Sequence, residues 1–404
     1  MTQKDFTIGL EGCLIRTDNL GCAALTWSLL AMLERIAGKN GLTFRYRVFE
    51  YSPDPADTER LCEKLAIGAD RLTAVKTTSL FHPLAEAKHP VLTARTLSAM
   101  RDCDLFIDLT QGDSFTDLYG QWRFSGFTRI KERILRMNKP LILGPQTYGP
   151  FLKPKNADRA AAVVRLARCV MARDLNAEAG QLFHRSGKEP QVACDLAFGL
   201  PYETSPVSPS EKIRVGINAS SLLVLQKTEP TELRIPLKTD YDRYLEQLLE
   251  SLTRDERFDV FLIPHVGADA GPQFREWFPA AHVLPAFQDP MEAKAVIASM
   301  DVLVAARMHA VIAALSSGTA VIPTGYSPKF EGLTEKMNYP YLADLRKLET
   351  GQAVRTTLQW ISRRAELRRA AQACRPIFTK DLDRTEALFT AELLNAAGRP
   401  WKEN

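Results

Sequence analysis

A chain of 404 residues is too long for one ordinary core, because single cores stop growing near about 250–300 residues; two or three domains are expected. Its 45% hydrophobic and 25% charged residues are those of a globular protein and exclude a disordered or fibrous chain. A net charge of +4, from 52 basic and 48 acidic residues, falls short of the basic stripe of a nucleic-acid binder, yet allows a local basic pocket for an anionic substrate.

The first half alternates strands and helices. Phe6–Leu10 reads as a strand, followed by a loop over Cys13–Gly21 and a helix from Ala23 to Ala37 that ends at Gly38-Lys39-Asn40-Gly41, a helix-stop signal. Thr43–Tyr51 is a second strand, with a helix near Asp57–Leu65 and a short strand at Leu72–Lys76. Leu92–Met100 is helical, Asp104–Leu109 a strand and Leu118–Met137 a long amphipathic helix. Leu141–Gly144 is a strand, Asp158–Ala167 a helix, Cys169–Ala172 a strand, Ala177–His184 a helix and Gln191–Cys194 a strand. Strands alternating with helices of ten or more residues imply a parallel, doubly wound sheet.

Pro201–Pro209 carries three prolines among Ser and Thr and is the best linker candidate. After it the alternation restarts. Strands are expected at Ile213–Asn218, Val260–Ile263, Val302–Ala305 and Ala320–Thr324, with helices at Tyr241–Leu252, Met291–Ser299 and His309–Leu315. The spacing therefore predicts an α/β protein of two Rossmann-like doubly wound domains facing a central cleft, over residues 1–203 and 210–345. A helical segment over 346–404 completes it. Ligands of such folds bind at the strand ends.

Seven cysteines, Cys13, Cys22, Cys62, Cys103, Cys169, Cys194 and Cys374, are scattered without a CxxC pair. This argues against a disulfide framework or zinc knuckle and suits the reducing cytoplasm. Met1–Lys4 leads into a strand without a signal-peptide pattern, and no apolar run approaches the ~20 residues that span a bilayer. A soluble cytoplasmic protein is expected, compatible with peripheral membrane contact.

Asp301–Ala310 runs from a buried strand through Arg307-Met308-His309 into a helix. It sets a cation and an imidazole at a strand end and a helix N-terminus, a place that favours anions. The same residues are also explained by an arginine paired with a nearby carboxylate and a histidine satisfied by a backbone carbonyl. Lys329 follows the next strand, and Arg173-Asp174 ends Val170-Met171-Ala172 in the first half. A lone lysine after a proline is more often a solvated turn residue, and Arg173-Asp174 also reads as a local surface pair that contributes little. The loops at Thr17–Gly21, Thr110–Asp117 and Gly144–Pro150, with Gly216–Asn218 and Ile263–His265, stand at other strand ends. Each suits a polyhydroxyl ligand or turn chemistry alone. There is no P-loop, HExxH, nucleophile elbow or paired dinucleotide fingerprint.

Taken in order, Asp18-Asn19-Leu20-Gly21, Gly112-Asp113 to Asp117, Gly144-Pro145-Gln146 to Pro150, Ala172-Arg173-Asp174, Cys194–Ala197, Gly216-Ile217-Asn218, Ile263-Pro264-His265, Arg307-Met308-His309-Ala310 and Tyr326–Lys329 resemble the polysaccharide pyruvyl transferases. The resemblance covers residues 10–335 and implies a fold similar to B-type glycosyltransferases. It implies transfer of the enolpyruvyl unit of phosphoenolpyruvate onto two saccharide hydroxyls as a cyclic ketal, with release of phosphate, in cell-surface (exopolysaccharide) biosynthesis. Arg173, Arg307, Met308 and Lys329 would then bind phosphoenolpyruvate, and His309 would be the catalytic acid/base. Asp18, Asn19, Gly112, Asp113, Asp117, Gln146, Asn218 and His265 would line the acceptor side or the cleft. No metal or cofactor is implied; phosphoenolpyruvate is a co-substrate, the partner is a saccharide, lipid- or nucleotide-linked, and no nucleic acid is involved.

The chain departs from the family pattern at Cys22, where an acidic residue is usual, and in Gln111-Gly112-Asp113, which is poorer in glycine. The competing readings are a B-type glycosyltransferase using a nucleotide-sugar, in which Glu292 near Lys294 would be the ribose clamp although a solvated helix explains that pair better, and a non-catalytic relative that binds an anionic saccharide.

Overall fold

The computed structural model describes residues 6–78, 82–204, 211–225, 235–270, 276 and 279–398. The chain forms two units, one of residues 1–17, 25–196 and 381–404, the other of residues 18–24 and 197–380.

The first unit is built on seven parallel strands, β1 (Phe6–Glu11), β2 (Phe44–Glu50), β3 (Leu72–Lys76), β4 (Leu105–Asp108), β5 (Leu141–Gln146), β6 (Cys169–Ala172) and β7 (Gln191–Val192), in the order β3-β2-β1-β4-β5-β6-β7. Every residue of β4, β5 and β6 is buried, as central parallel strands covered on both faces require. The helices are α1 (Leu20–Asn40), α2 (Pro55–Lys64), α3 (Pro83–Lys88), α4 (Pro90–Arg101), α5 (Gln121–Arg136), α6 (Pro154–Leu166) and α7 (Ala177–Ser186). Helix α5 turns Phe124, Phe127, Ile130 and Ile134 inward, the stripe that a 3.6-residue period gives.

The second unit repeats the plan with six parallel strands, β8 (Ile213–Asn218), β9 (Phe258–Leu262), β10 (His282–Val283), β11 (Val302–Ala305), β12 (Ala320–Gly325) and β13 (Ala343–Asp344), in the order β10-β9-β8-β11-β12-β13. Its helices are α8 (Ser221–Leu225), α9 (Tyr241–Thr253), α10 (Pro290–Ala298), α11 (Met308–Ser317), α12 (Pro328–Lys336), α13 (Thr350–Ser362) and α14 (Arg364–Ala373); α15 (Arg375–Ala396) follows. Asp240 and Asp289 cap α9 and α10 by accepting from Arg243 and Glu292 N–H groups, as N-cap carboxylates do. The strand order reverses between β1 and β4 in one sheet and between β8 and β11 in the other. These are the switch points where open α/β sheets bind ligands.

The expected strands occur within a residue or two of their places. Helix α3 and the two-residue strands β10 and β13 were not expected, since such short pieces carry no periodicity. The division of the chain differs from the expected one. Residues 381–398 do not stand apart but join the first unit, where Thr385 Oγ1 accepts from the Cys194 N–H at 2.8 Å and Glu392 pairs with Arg168 at 2.5 Å. The opening residues of α1, with Asp18 and Asn19 before them, belong to the second unit. Of the proline-rich linker, residues 205–209 lie outside the described residues.

Contrary to the reading of apolar runs, α1 is long and apolar enough to cross a membrane. Most of it is buried within the protein, and it serves as a core helix.

Candidate active site

In the second unit β8 and β11 are neighbours, with Asn218 opposite Ala305. Asn218 ends β8 and straps the adjoining loops together. Its Oδ1 accepts from the Arg307 N–H at 3.0 Å, and its Nδ2 donates to the Ile263 carbonyl at 2.9 Å. Both ends of this buried carboxamide are thus engaged within the unit.

Arg307 occupies the N-cap position of α11 with extended backbone. Its guanidinium does not stand alone. Nε donates to Asp269 Oδ2 at 3.1 Å, Nη2 to Asp269 Oδ1 at 2.7 Å, and Nη2 also to Ser221 Oγ at 3.1 Å. Asp269 accepts from the backbone N–H groups of Ser221 (2.8 Å) and Val266 (3.1 Å) as well. Burial works against the arginine's charge, but the Asp269 hydrogen bond and carboxylate hold its pKa above the ordinary value. The nearby-carboxylate explanation of Arg307 is therefore realised. A bidentate pair on Nε and Nη2 leaves the Nη1 edge out of the clamp, and fixes the plane in which it points.

His309 is the second residue of α11, and its imidazole lies against Gly21 in the first turn of α1. A Cβ built on Gly21 would fall 2.3 Å from His309 Nδ1 and 2.6 Å from Cγ. Only glycine lets the ring approach so closely. Asn19 starts that turn, its Oδ1 accepting from the Gly21 N–H at 3.1 Å. The segment is moored to the loop after β9: the Leu20 N–H donates to the His265 carbonyl at 3.1 Å, and the Gly267 N–H to the Asp18 carbonyl at 2.9 Å. Within this one unit the structure brings together Asp18, Asn19, Asn218, His265, Arg307 and His309, although residues 18–24 come from the far end of the sequence.

His265 is buried, and burial first, then the nearby His309 and Arg307, push its pKa down to about 3 despite Asp269. It is a neutral imidazole at physiological pH. Met308 opens α11, and Lys329 is an exposed residue in the first turn of α12, after β12. Because β11 and β12 pair in parallel, with Ala305 opposite Pro323, Arg307 and Lys329 follow the same edge of the sheet.

The remaining residues singled out in the sequence lie in the first unit. Buried Arg173 donates from Nη1 to Asp195 Oδ2 at 2.7 Å and from Nε to Thr147 Oγ1 at 3.1 Å; Asp174 stands further off, at 3.8 Å. Its dominant partner is thus Asp195, from the end of the next strand, rather than its sequence neighbour. Gly112 has φ +87, and a Cβ there would meet Leu25 Cδ1 at 2.6 Å and Arg173 Nη1 at 3.2 Å. Asp113 accepts from the Tyr119 hydroxyl at 3.2 Å. Asp117 and Gln146 are spent on architecture. Asp117 accepts from the N–H groups of Leu152 (2.6 Å) and Lys153 (3.0 Å) and from Asn156 Nδ2 (2.8 Å). Gln146, fully buried, donates to the Asp108 and Gly144 carbonyls at 3.3 and 3.4 Å.

Sequence reasoning missed Asp269 and Ser221. Ser221 stands three residues after Asn218, but Asp269 lies in a short turn (Gly267–Ala270) without periodicity, and only the fold delivers it to Arg307. Glu292, considered as a ribose clamp, instead accepts at Oε2 from the Gln288 N–H at 2.8 Å across the start of α10. Among the described residues no group of three His, Cys, Asp or Glu side chains is placed to hold a metal ion.

Chemically, the second-unit site offers a fixed guanidinium, an imidazole at a helix start and a lysine on one sheet edge. The guanidinium and lysine suit an anion, the helix N-terminus adds to their pull, and the imidazole suits proton transfer.

The fold is shared with solved structures at low sequence identity. A putative UDP-N-acetylglucosamine 2-epimerase from Listeria monocytogenes is similar at TM-score 0.60 and 12% identity, over 99% of this chain and 99% of that one. The UDP-GlcNAc 2-epimerase from Neisseria meningitidis bound to UDP-GlcNAc gives 0.58 and 12%, over 96% and 99%. TcCGT1 in complex with UDP gives 0.53 and 11%, over 97% and 100%. These likenesses establish the architecture, two parallel-sheet α/β domains of the kind found in B-type glycosyltransferases and the 2-epimerases. Comparison with the curated proteins found no match. The model of one family, the polysaccharide pyruvyl transferases, matches residues 19–328, a span holding every residue of both clusters except Asp18 and Lys329. The chain belongs to the polysaccharide pyruvyl transferase family.

Proposed function

We propose that this transferase moves the enolpyruvyl unit of phosphoenolpyruvate onto two hydroxyls of a saccharide as a cyclic ketal, in the assembly of a cell-surface polysaccharide. Family membership supports the transferase class, and the cluster at the end of β11 supports the chemistry. The observation that carries the reading is Arg307 clamped in one plane by Asp269 beside the imidazole of His309, at the start of α11.

In this reading the Nη1 edge of Arg307, the α11 N-terminus and Lys329 bind the phosphate and carboxylate of phosphoenolpyruvate, with Met308 against them. His309 moves the protons. The methylene carbon C3 gains a proton, and C2 forms a bond to one sugar oxygen as that hydroxyl loses its proton. The second hydroxyl then forms the other C2–O bond while the C2–O bond to phosphate breaks, and its proton leaves with phosphate or to solvent.

The experiment is phosphate release from phosphoenolpyruvate with lipid-linked and nucleotide-linked saccharides. His309→Ala should abolish release while thermal stabilisation by phosphoenolpyruvate survives in part. Full activity in that variant would defeat the assignment. Stabilisation by UDP-sugars with none by phosphoenolpyruvate would favour a nucleotide-sugar transferase instead.

A further inference from the structure

A second set of side chains, at a strand end of the first unit, plays no part in the donor chemistry. The turn after β4 carries three successive residues of positive φ, Thr110 (43°), Gln111 (54°) and Gly112 (87°). Two of them are not glycine, so neighbouring contacts must hold them there. Arg123 of α5 does so, donating from Nη2 to Gln111 Oε1 at 2.5 Å and to Ser114 Oγ at 3.0 Å. The same guanidinium lies 5.9 Å from the centre of the Tyr119 ring, whose hydroxyl donates to Asp113. Three residues on, Trp122 stacks on His82 with centroids 6.2 Å apart. The chain of contacts runs from Arg173 past Gly112 and Gln111 to Arg123 and Tyr119.

Tyr119 is 38% exposed and Trp122 51%. Side chains of this size usually bury most of their area. Here the Tyr119 ring is fixed in place by a carboxylate and a guanidinium, and the Trp122 ring by an imidazole stack.

We propose that Tyr119 and Trp122 form the platform for the saccharide acceptor. The electron-rich ring faces pack against the C–H face of a pyranose, and Asp113, Gln111 and Arg123 hydrogen-bond its hydroxyls. The carboxylate and guanidinium beside the Tyr119 ring favour a hydroxyl-rich ligand over a lipid surface, which would call for a continuous apolar patch. This assignment rests on the reading of the protein as a saccharide-modifying transferase and adds where its acceptor docks.

The test uses the full chain and two variants, Trp122→Ala and Tyr119→Ala, with Trp122→Phe as the conservative control. Acceptor KM should rise at least tenfold in both alanine variants, with recovery in Trp122→Phe. Thermal stabilisation by phosphoenolpyruvate should stay within about twofold of wild type. Saturation-transfer NMR with a panel of hexose- and N-acetylhexosamine-terminated disaccharides, without donor, tests the platform separately from the reaction. Signal in the wild type that is lost in Trp122→Ala supports the platform even if no ketal forms. Acceptor KM within twofold of wild type in both variants overturns it. So does the absence of any saccharide signal in the wild type, or a loss confined to binding of phosphatidylglycerol vesicles.

Discussion

Asp269 grips Arg307 with both carboxylate oxygens, at 3.1 Å on Nε and 2.7 Å on Nη2, while its own remaining capacity is filled by two backbone N–H groups. The pair carries no net charge, so its value to an anionic ligand lies in aim rather than in bulk attraction.

Asp269→Ala removes the carboxylate and leaves a largely buried guanidinium without its counter-charge. Breaking one side of a buried pair costs about 3 kcal/mol, and urea denaturation should show a loss of that order. Asp269→Asn keeps the shape and should lose less stability, yet still weaken phosphoenolpyruvate binding as the guanidinium plane loosens. If Asp269→Ala unfolds at the wild-type urea midpoint, the pair is not what holds this loop.

Gly21 and His309 form the second close relationship. An alanine methyl would have to occupy space 2.3 Å from Nδ1, so Gly21→Ala must move the imidazole. Displacement of a catalytic group by about 1 Å can cost on the order of 100-fold in rate. Turnover should therefore fall at least tenfold, with KM for phosphoenolpyruvate little changed, since Arg307 and Lys329 are untouched. Phosphate-release kinetics decide this, and an unaltered turnover number would show that the ring tolerates the shift.

His265 gives the site a pH signature. Its folded pKa, about 3, lies below the ordinary 6.5, so between those values the unfolded chain binds a proton that the folded one refuses. Its contribution is intact above about 6.5 and is lost as pH falls toward 3, with a slope of up to about 1.4 kcal/mol per pH unit. His265→Asn should flatten this limb of a stability–pH profile measured by denaturant titration. Parallel acid limbs in the two proteins would assign the loss to other groups.

The parts of this site that the sequence shows and those it hides differ in physical kind. Val302–Ala305 reads as a buried strand because a central parallel strand needs an unbroken apolar run, and Arg307-Met308-His309 is visible because it follows one. Arg307's partner is invisible, because Asp269 lies 38 residues away in a turn without periodicity. Gly21 stands in a legible motif, but nothing local says that its missing side chain makes room for His309. The C-terminal helix reads correctly as a helix, while its membership of the first unit depends on contacts such as Cys194 to Thr385, 191 residues apart. Periodicity encodes elements; long-range polar contacts and close approaches become legible only once the elements are assembled.

The switch point of the first sheet holds the last testable feature. Glu11 and Asp108 are register partners on β1 and β4, and Lys131 Nζ lies 2.8 Å from Asp108 Oδ2, both side chains being 0% exposed. Thr110 also hydrogen-bonds Asp108. One lysine cannot balance two buried carboxylates, and the geometry gives it to Asp108. Burial, and then the Asp108 charge, accordingly raise the Glu11 pKa well above its ordinary 4.5. Between 4.5 and that raised value the folded chain holds a proton that the unfolded chain has released. Stability from Glu11 is full below 4.5 and drains as pH rises toward the folded pKa. Glu11→Gln supplies a permanently neutral side chain of the same shape, so it should be at least as stable as wild type at pH 8 and flatten the alkaline decline. Lys131→Met, by contrast, strands the Asp108 charge and should cost about 3 kcal/mol or more. Urea midpoints at pH 5 and pH 9 for the three proteins separate these outcomes, and an equal drop for Glu11→Gln and Lys131→Met would mean that Glu11, too, is held as a carboxylate.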